Sequence, residues 1–122
     1  MIEVKNLSKS FDGRTVLDNV SAEFYTGKTN LIIGQSGSGK TVLMKSLVGL
    51  LRPEEGSILF DGRNLLDMNR EEVKKLRQEI GMLFQGSALF DSETVLGNVM
   101  FPLKMFTGNS YAENRERAMF CL

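Results

Sequence analysis

The order of apolar and polar residues predicts two half-buried strands at the start of the chain. Ile2 and Val4 alternate with charged residues, which is the two-residue period of a strand with one face in water. The segment 19–24 repeats this alternation after a turn signal at 12–14. We therefore expect residues 1–30 to form an antiparallel portion of the fold with one solvent-exposed face.

Two short apolar runs predict strands that are buried on both faces. Leu31–Ile33 is a continuous apolar segment bounded by glycine, and 81–84 is a second one. Runs of this kind are typical of parallel strands that are covered by helices. Residues 57–61 return to strict alternation and predict a further half-buried strand.

Helical periodicity begins at Lys40. Residues 40–51 are apolar nearly all round, which predicts a mostly buried helix that ends at Arg52-Pro53. The predicted order along the chain is strands, a buried helix, further strands and then helices. This order indicates an α/β fold class with an antiparallel β portion at the front.

Capping residues predict three further helices. Two pairs have the spacing of a capping box, in which a polar side chain and a glutamate three residues later satisfy each other's backbone N–H groups. These pairs are Asn69 with Glu72 and Ser110 with Glu113. A cap at 91–92 predicts a short helix that stops at Pro102, and the last helix runs to the end of the sequence.

Composition and charge narrow the class of protein. The 122 residues are 42% apolar and 25% charged, which is the balance of a folded domain. The formal net charge is zero and no basic stripe is present, so we expect no general affinity for nucleic acid. The longest apolar region is too short to span a bilayer, and no signal-peptide pattern opens the sequence, which predicts a cytoplasmic protein. The single cysteine, Cys121, offers neither a disulfide nor a metal site.

A glycine-rich loop carries the main chemical signal. It contains the spacing Gly, four residues, Gly-Lys-Thr, and it comes directly before the first predicted helix. Glycines without Cβ atoms let the backbone N–H groups approach phosphate oxygens, and a helix N-terminus favours an anion. In this motif Lys40 would contact the β- and γ-phosphates and Thr41 would offer its hydroxyl to Mg²⁺. The sequence therefore predicts binding of a nucleoside triphosphate, with ATP and Mg²⁺ as the cofactors.

The loop and its surroundings resemble the ATP-binding subunits of ABC transporters. The resemblance implies a P-loop NTPase core in which the phosphates are bound by Gly34, Gln35, Ser36, Gly37, Ser38, Gly39, Lys40, Thr41 and Val42. It implies that Phe11 stacks on adenine, because an aromatic residue occupies this place in the family. It also implies that Gln85, after the second buried run, coordinates Mg²⁺ or the attacking water. Lys40 and Gln85 are then the catalytic candidates, and Thr41 and Gln85 the metal ligands.

The stretch after Gln85 looks like the ATPases of Mla-type lipid transporters. Its segments are 86–92, 94–99 and 101–103. This resemblance implies a membrane permease partner, a second ATP-binding subunit that completes a homodimer, and a place at the inner face of the cell membrane. This region also contains the apolar residues Phe90, Met100, Phe101, Met105 and Phe106. They are candidates for permease docking or for the core of a helical subdomain, and the sequence leaves both assignments open.

The resemblance covers only the first half of the family's domain. Three later motifs of the family have no counterpart in this chain: the Leu-Ser-Gly-Gly-Gln signature loop, the Asp-Glu pair with the catalytic glutamate, and the switch histidine. The chain contains no histidine at all. We therefore expect a domain that is incomplete at its C-terminus and inactive in ATP hydrolysis by itself. Its expected parts are an antiparallel portion (1–30), a phosphate-loop core (31–85) and the start of a helical subdomain (86–122).

Other functions remain open from the sequence alone. A small nucleotide kinase shares the glycine loop but usually begins with the strand before it and carries an arginine-rich lid. A non-transport ABC protein of translation or DNA repair shares the loop but not the stretch after Gln85. A non-catalytic remnant would bind nucleotide or a partner without turnover.

Overall fold

The first two strands form the antiparallel hairpin that the alternation predicts. They are β1 (Ile2–Phe11) and β2 (Arg14–Phe24), and their register pairs Phe11 with Arg14. Asp12 and Gly13 join them with φ angles of 48° and 77°. Two successive residues with positive φ are typical of the tight turns whose twist matches that of the flanking strands.

Two later strands extend this hairpin into a four-stranded antiparallel sheet. They are β3 (Glu55–Phe60) and β4 (Arg63–Asn64), and the strand order is β2-β1-β3-β4. The strand that was expected at 57–61 is thus confirmed, and it pairs with β1. The computed structural model describes residues 1–86 and 88–122, which divide into two units, Met1–Gly81 and Met82–Leu122.

Helices α1 (Lys40–Leu47) and α2 (Arg70–Gln78) complete the first unit, with a 3₁₀ turn at Leu65–Asp67. One apolar core holds the sheet, the turn and both helices together, as expected for elements that are each apolar on one face. Its buried members are Val4, Leu7, Leu17, Leu43, Leu47, Ile58, Phe60, Leu65 and Leu76.

The prediction of buried parallel strands at Leu31–Ile33 and at 81–84 is wrong for this structure. Neither segment is a strand, and the exposed fractions are 79% for Leu31, 84% for Ile33 and 95% for Leu83. A buried strand needs hydrogen-bonded neighbours on both sides. Neither segment has such a neighbour among residues 1–86 and 88–122, where the pairing that is present is antiparallel and involves β1 to β4.

The first helix is shorter than its apolar pattern predicts. It ends at Leu47 rather than near Leu51, because Gly49 turns the backbone to a φ of 72°. Arg77 of α2 then covers the helix end: its Nε donates to the Val48 carbonyl at 3.1 Å and its Nη2 to the Gly49 carbonyl at 2.5 Å. Leu50 lies beyond the helix and is exposed.

The second unit contains α3 (Val95–Phe106) and α4 (Tyr111–Cys121), which pack on each other around Met100, Asn114 and Ala118. The capping box of Ser110 and Glu113 is confirmed, as is that of Asn69 and Glu72 at α2.

The predicted boundaries of α3 are wrong at both ends. Thr94 caps this helix in place of 91–92, since its Oγ1 accepts a hydrogen bond from the N–H of Gly97. Pro102 lies inside the helix instead of ending it. The proline removes one backbone donor, and the packing of α3 on α4 offsets that loss. None of the helices in the described part of the chain is long and apolar enough to cross a membrane.

Candidate functional site

The glycine loop leads directly into α1, as the sequence predicts. Gly39 is the residue before the helix, and its φ of 96° is in the left-handed region. A Cβ on this residue would lie 3.1 Å from both the Val16 carbonyl oxygen and Leu17 Cδ2, so the backbone there is pressed against the start of β2. Gly37 also has a positive φ, 78°, but a Cβ on it would meet no atom within 4 Å. The two glycines therefore serve different needs, close packing at Gly39 and backbone curvature at Gly37.

Lys40 folds back over the loop. Its Nζ donates hydrogen bonds to the carbonyl oxygens of Gly34 and Gln35, each at 2.6 Å. The Ser38 N–H donates to the Gln35 carbonyl at 3.1 Å and closes the turn inside the loop. An ammonium group has three donors, so one of the donors of Lys40 remains for an anionic oxygen. The lysine thus holds the loop in shape and carries a positive charge at its centre.

The N-terminus of α1 has no side-chain cap. Gly39 has no side chain, whereas Asn69, Thr94 and Ser110 each accept hydrogen bonds at the starts of α2, α3 and α4. The first N–H groups of any helix lack partners within the helix, and together they carry part of the positive end of its dipole. An anion bound at the N-terminus of α1 would accept hydrogen bonds from these N–H groups. Of the four α-helices in the described part of the chain, only α1 has its N-terminus open in this way.

The remaining loop residues are presented to solvent. Residues 34–38 and Thr41 are exposed, while Lys40 and Val42 are half-buried. A Cβ on Gly34 would lie 2.6 Å from Ser38 Oγ, so a larger residue at position 34 would crowd the loop. Backbone curvature, an open helix N-terminus and a central ammonium group are what the binding of a polyphosphate requires.

Phe11 lies at the tip of the β1–β2 hairpin, and its exposed fraction is 40%. It pairs with Arg14, and Val16, whose carbonyl oxygen would lie 3.1 Å from a Cβ on Gly39, follows two residues later along β2. Two strand residues span about 7 Å. The aromatic side chain and the glycine loop therefore belong to one unit, in which β2 runs from the pairing partner of Phe11 to the residues beside Gly39.

Two residues beside Phe11 were not foreseen from the sequence. Lys9 places its Nζ 5.0 Å from the centroid of the Phe11 ring, and the same Nζ donates to Glu54 Oε1 at 2.5 Å. The second carboxylate oxygen, Glu54 Oε2, accepts a hydrogen bond from the Ser10 N–H at 3.0 Å. The hydrogen bond from Lys9 is the main cause that holds the pKa of Glu54 below its usual value, and the hydrogen bond from Ser10 is the second. The position of Lys9 two residues before Phe11 is a usable signal, because residues i and i+2 of a strand share a face; Glu54 gives no such signal.

Gln85 lies in the second unit, in an exposed segment without regular structure.

Helix α3 holds the loop of residues 90–94 through Asn98. The Asn98 Oδ1 accepts a hydrogen bond from the Phe90 N–H at 2.8 Å, and its Nδ2 donates one to the Thr94 carbonyl at 3.0 Å. The rings of Phe90 and Phe101 meet edge to face with centroids 4.7 Å apart. This unit contains a cavity of about 420 Å³, which is lined by Leu89, Phe90, Asp91, Glu93, Val95, Asn98 and Val99. Ser87, which belongs to the stretch after Gln85, lies outside the described residues.

Comparison with known proteins identifies the family of the chain. A family model described as ABC transporter matches residues 17–121. The chain is 42% identical over 118 residues to the probable ribonucleotide transport ATP-binding protein mkl of Mycobacterium leprae, covering 97% of this chain and 34% of that protein. It is also 42% identical over 107 residues to the intermembrane phospholipid transport system ATP-binding protein MlaF of Haemophilus influenzae, covering 88% of this chain and 40% of that protein.

Among solved structures, the chain is similar to the dimeric ATP-binding cassette MJ0796 in a post-hydrolysis state with ADP and Pi. The TM-score is 0.87 at 33% sequence identity, and the match covers 99% of this chain and 55% of that one. The chain thus spans about a third of the length of the curated relative mkl and little more than half of the solved cassette.

Proposed function

Because the chain belongs to the ABC transporter family, we propose that it is the N-terminal part of an ATP-binding subunit and supplies the phosphate-loop side of an ATP-hydrolysing site. The observation that carries this proposal is the open N-terminus of α1, with the Lys40 ammonium at the centre of the loop that precedes it. The unsatisfied N–H groups and the ammonium together suit the oxygens of a triphosphate.

Each site residue has a proposed role. Gly34 to Val42 bind the phosphates through backbone N–H groups and the Lys40 ammonium, and Phe11 stacks on the adenine base. Thr41, which is exposed at the first turn of α1, binds Mg²⁺ through its hydroxyl, and Gln85 is a further Mg²⁺ ligand by its resemblance to the family's glutamine. When bound, Mg²⁺ neutralises charge on the phosphates. Lys40 has the catalytic role of stabilising the charge that develops on them, and Gln85 that of orienting the attacking water.

Hydrolysis requires more than these residues. We propose that a second, identical subunit closes over the phosphate loop, and that the 122-residue chain alone binds nucleotide without useful turnover. The dimeric form of the similar cassette MJ0796 supports this arrangement.

We further propose that ATP turnover drives lipid transport through a membrane permease, on whose cytoplasmic side the subunit lies. The identity to MlaF supports this assignment, although mkl, named for ribonucleotide transport, is equally similar. Phe101, Met105 and Phe106 of α3 are at least 42% exposed, which supports their assignment to permease docking, whereas Met100 is buried against α4. Exchanging Phe106 for aspartate tests this role: lost permease binding with an unchanged melting temperature supports docking, and lost folding contradicts it.

Nucleotide binding is tested by replacing Lys40 with glutamine and measuring the affinity for Mg-ATP by calorimetry. A hydrogen bond to a charged group contributes about 1.5–3 kcal/mol, so affinity should fall about 10- to 150-fold. Lys45, in the last turn of α1, is the matched control, and Lys45→Gln should bind as the unaltered chain does. Equal affinities for the Lys40 and Lys45 variants would refute the proposed site, and Lys40-dependent turnover by the 122-residue chain would refute the need for a second subunit.

A further inference from the structure

The aromatic ring at the hairpin tip has a charged group on one side. The Lys9 ammonium lies 5.0 Å from the centroid of the Phe11 ring, within the range of a cation–π contact, and only 14% of the Lys9 side chain is exposed. A cation above one face of an aromatic ring draws electron density towards that face. It also leaves a single face of the ring for a flat ligand.

Lys9 is held in this position by a residue from another part of the chain. Glu54 lies 45 residues away, immediately before β3, and its carboxylate joins Lys9 Nζ to the backbone N–H of Ser10. The Glu54 N–H in turn donates to the Ser8 carbonyl at 3.0 Å. Glu54 is therefore fixed to β1 at three successive residues, directly before Phe11.

We propose that Glu54 is a positioning residue for the base of the nucleotide: it fixes Lys9 against one face of Phe11, so that the other face is presented to the base. The proposal rests on the proposed function, because it assumes that a nucleotide occupies the glycine loop and that Phe11 stacks on its base. Glu54 touches neither the base nor the phosphates in this arrangement. Since every nucleobase has a π face, the effect concerns ATP and GTP alike.

The decisive measurement compares a ligand that has a base with one that has none. Dissociation constants for Mg-ATP and for inorganic tripolyphosphate are measured by calorimetry on the same preparations. Stacking of a base on an aromatic ring changes affinity about 5- to 150-fold, and loss of the correct ring position should remove part of it. We expect Glu54→Gln to weaken Mg-ATP about three- to tenfold, a fraction of that stacking contribution, and to leave tripolyphosphate unchanged.

Three controls separate the possible outcomes. The neighbouring Glu55 takes part in no ion pair among residues 1–86 and 88–122, and Glu55→Gln should bind both ligands as the unaltered chain does. In a Phe11→Ala background, Glu54→Gln should have no further effect on Mg-ATP. Lys9→Arg, which keeps a cation over the ring, should retain most of the Mg-ATP affinity.

The proposal is overturned if Glu54→Gln changes the affinity for both ligands equally, or if its effect on Mg-ATP persists without Phe11. Equal changes would mean that Glu54 acts through general electrostatics or stability. Failure of the proposed function gives a different result, since then tripolyphosphate would bind without dependence on Lys40. If Glu54→Gln fails to fold, it loses tripolyphosphate binding as well. Lys9→Gln, which removes the other partner of the ion pair, then takes its place in the same comparison.

Discussion

Replacing Gly56 with alanine should separate β3 from β1, and Gly62→Ala is its matched control. Both glycines have positive φ angles, 97° and 82°. A Cβ on Gly56 would lie 2.5 Å from the Asn6 carbonyl oxygen and 2.6 Å from that of Lys5, whereas a Cβ on Gly62 would meet nothing within 4 Å. The two substitutions therefore impose the same kind of backbone strain, and only one of them adds a collision with backbone atoms.

The expected magnitudes follow from these two effects. A non-glycine residue in the left-handed region costs about 1–2 kcal/mol, which is the whole expected loss for Gly62→Ala. Overpacking adds about 1–3 kcal/mol, so Gly56→Ala should lose about 2–5 kcal/mol of the free energy of unfolding. For a unit of this size each kcal/mol lowers the melting temperature by about 4–8 °C.

Thermal and urea unfolding followed by circular dichroism measure both variants. Gly62→Ala should melt about 4–16 °C lower than the unaltered chain, and Gly56→Ala should melt clearly below Gly62→Ala. If the two free energies of unfolding agree within about 0.5 kcal/mol, the close approach of β3 to β1 is not a source of strain and the reasoning fails.

Three further substitutions, one of them with a matched control, test other contacts. Arg77→Ala should lose about 1–3 kcal/mol in urea unfolding because two carbonyls at the end of α1 lose their donor, while Arg70→Ala at the first turn of α2 should change stability by less than about 0.5 kcal/mol. Leu7→Ala should lose about 2–5 kcal/mol, since this side chain is fully buried in the core; a loss below 1 kcal/mol would contradict that burial. The pKa of Glu54 is lowered in the folded state, so its contribution to stability is complete above the ordinary glutamate pKa of about 4.3 and is lost as the pH falls through the lower folded-state value. The difference in melting temperature between the unaltered chain and Glu54→Gln should therefore shrink over that acidic range. A difference that stays constant with pH would argue against the ion pair.

Features that depend on neighbouring residues in the sequence were predictable. The capping boxes at Asn69 and Ser110 and the start of α1 at Lys40 each rest on residues within one helical turn, and all three are confirmed. The contact of Glu54 with Lys9 could not be foreseen, because it depends on how β3 pairs with β1.

The wrong strand predictions have the same origin. The apolar run Leu31–Ile33 has the composition of a buried strand, but composition does not supply the hydrogen-bonding neighbours that a strand requires. Pro102 failed as a stop signal for a related reason, since the packing of α3 on α4 outweighs the preference of one residue.

The missing cap on α1 has a thermodynamic consequence. In α2, α3 and α4 a side chain that is always present accepts at least one of the N-terminal N–H groups, whereas no side chain caps α1 and its first N–H groups can bind a ligand from solution. A ligand that binds there and not to the unfolded chain raises the free energy of unfolding by RT ln(1 + [L]/Kd), which is about 2.7 kcal/mol at a hundred times Kd. The stability of the first unit thus becomes a function of ligand concentration, so that its melting curve can serve as a titration of the phosphate loop.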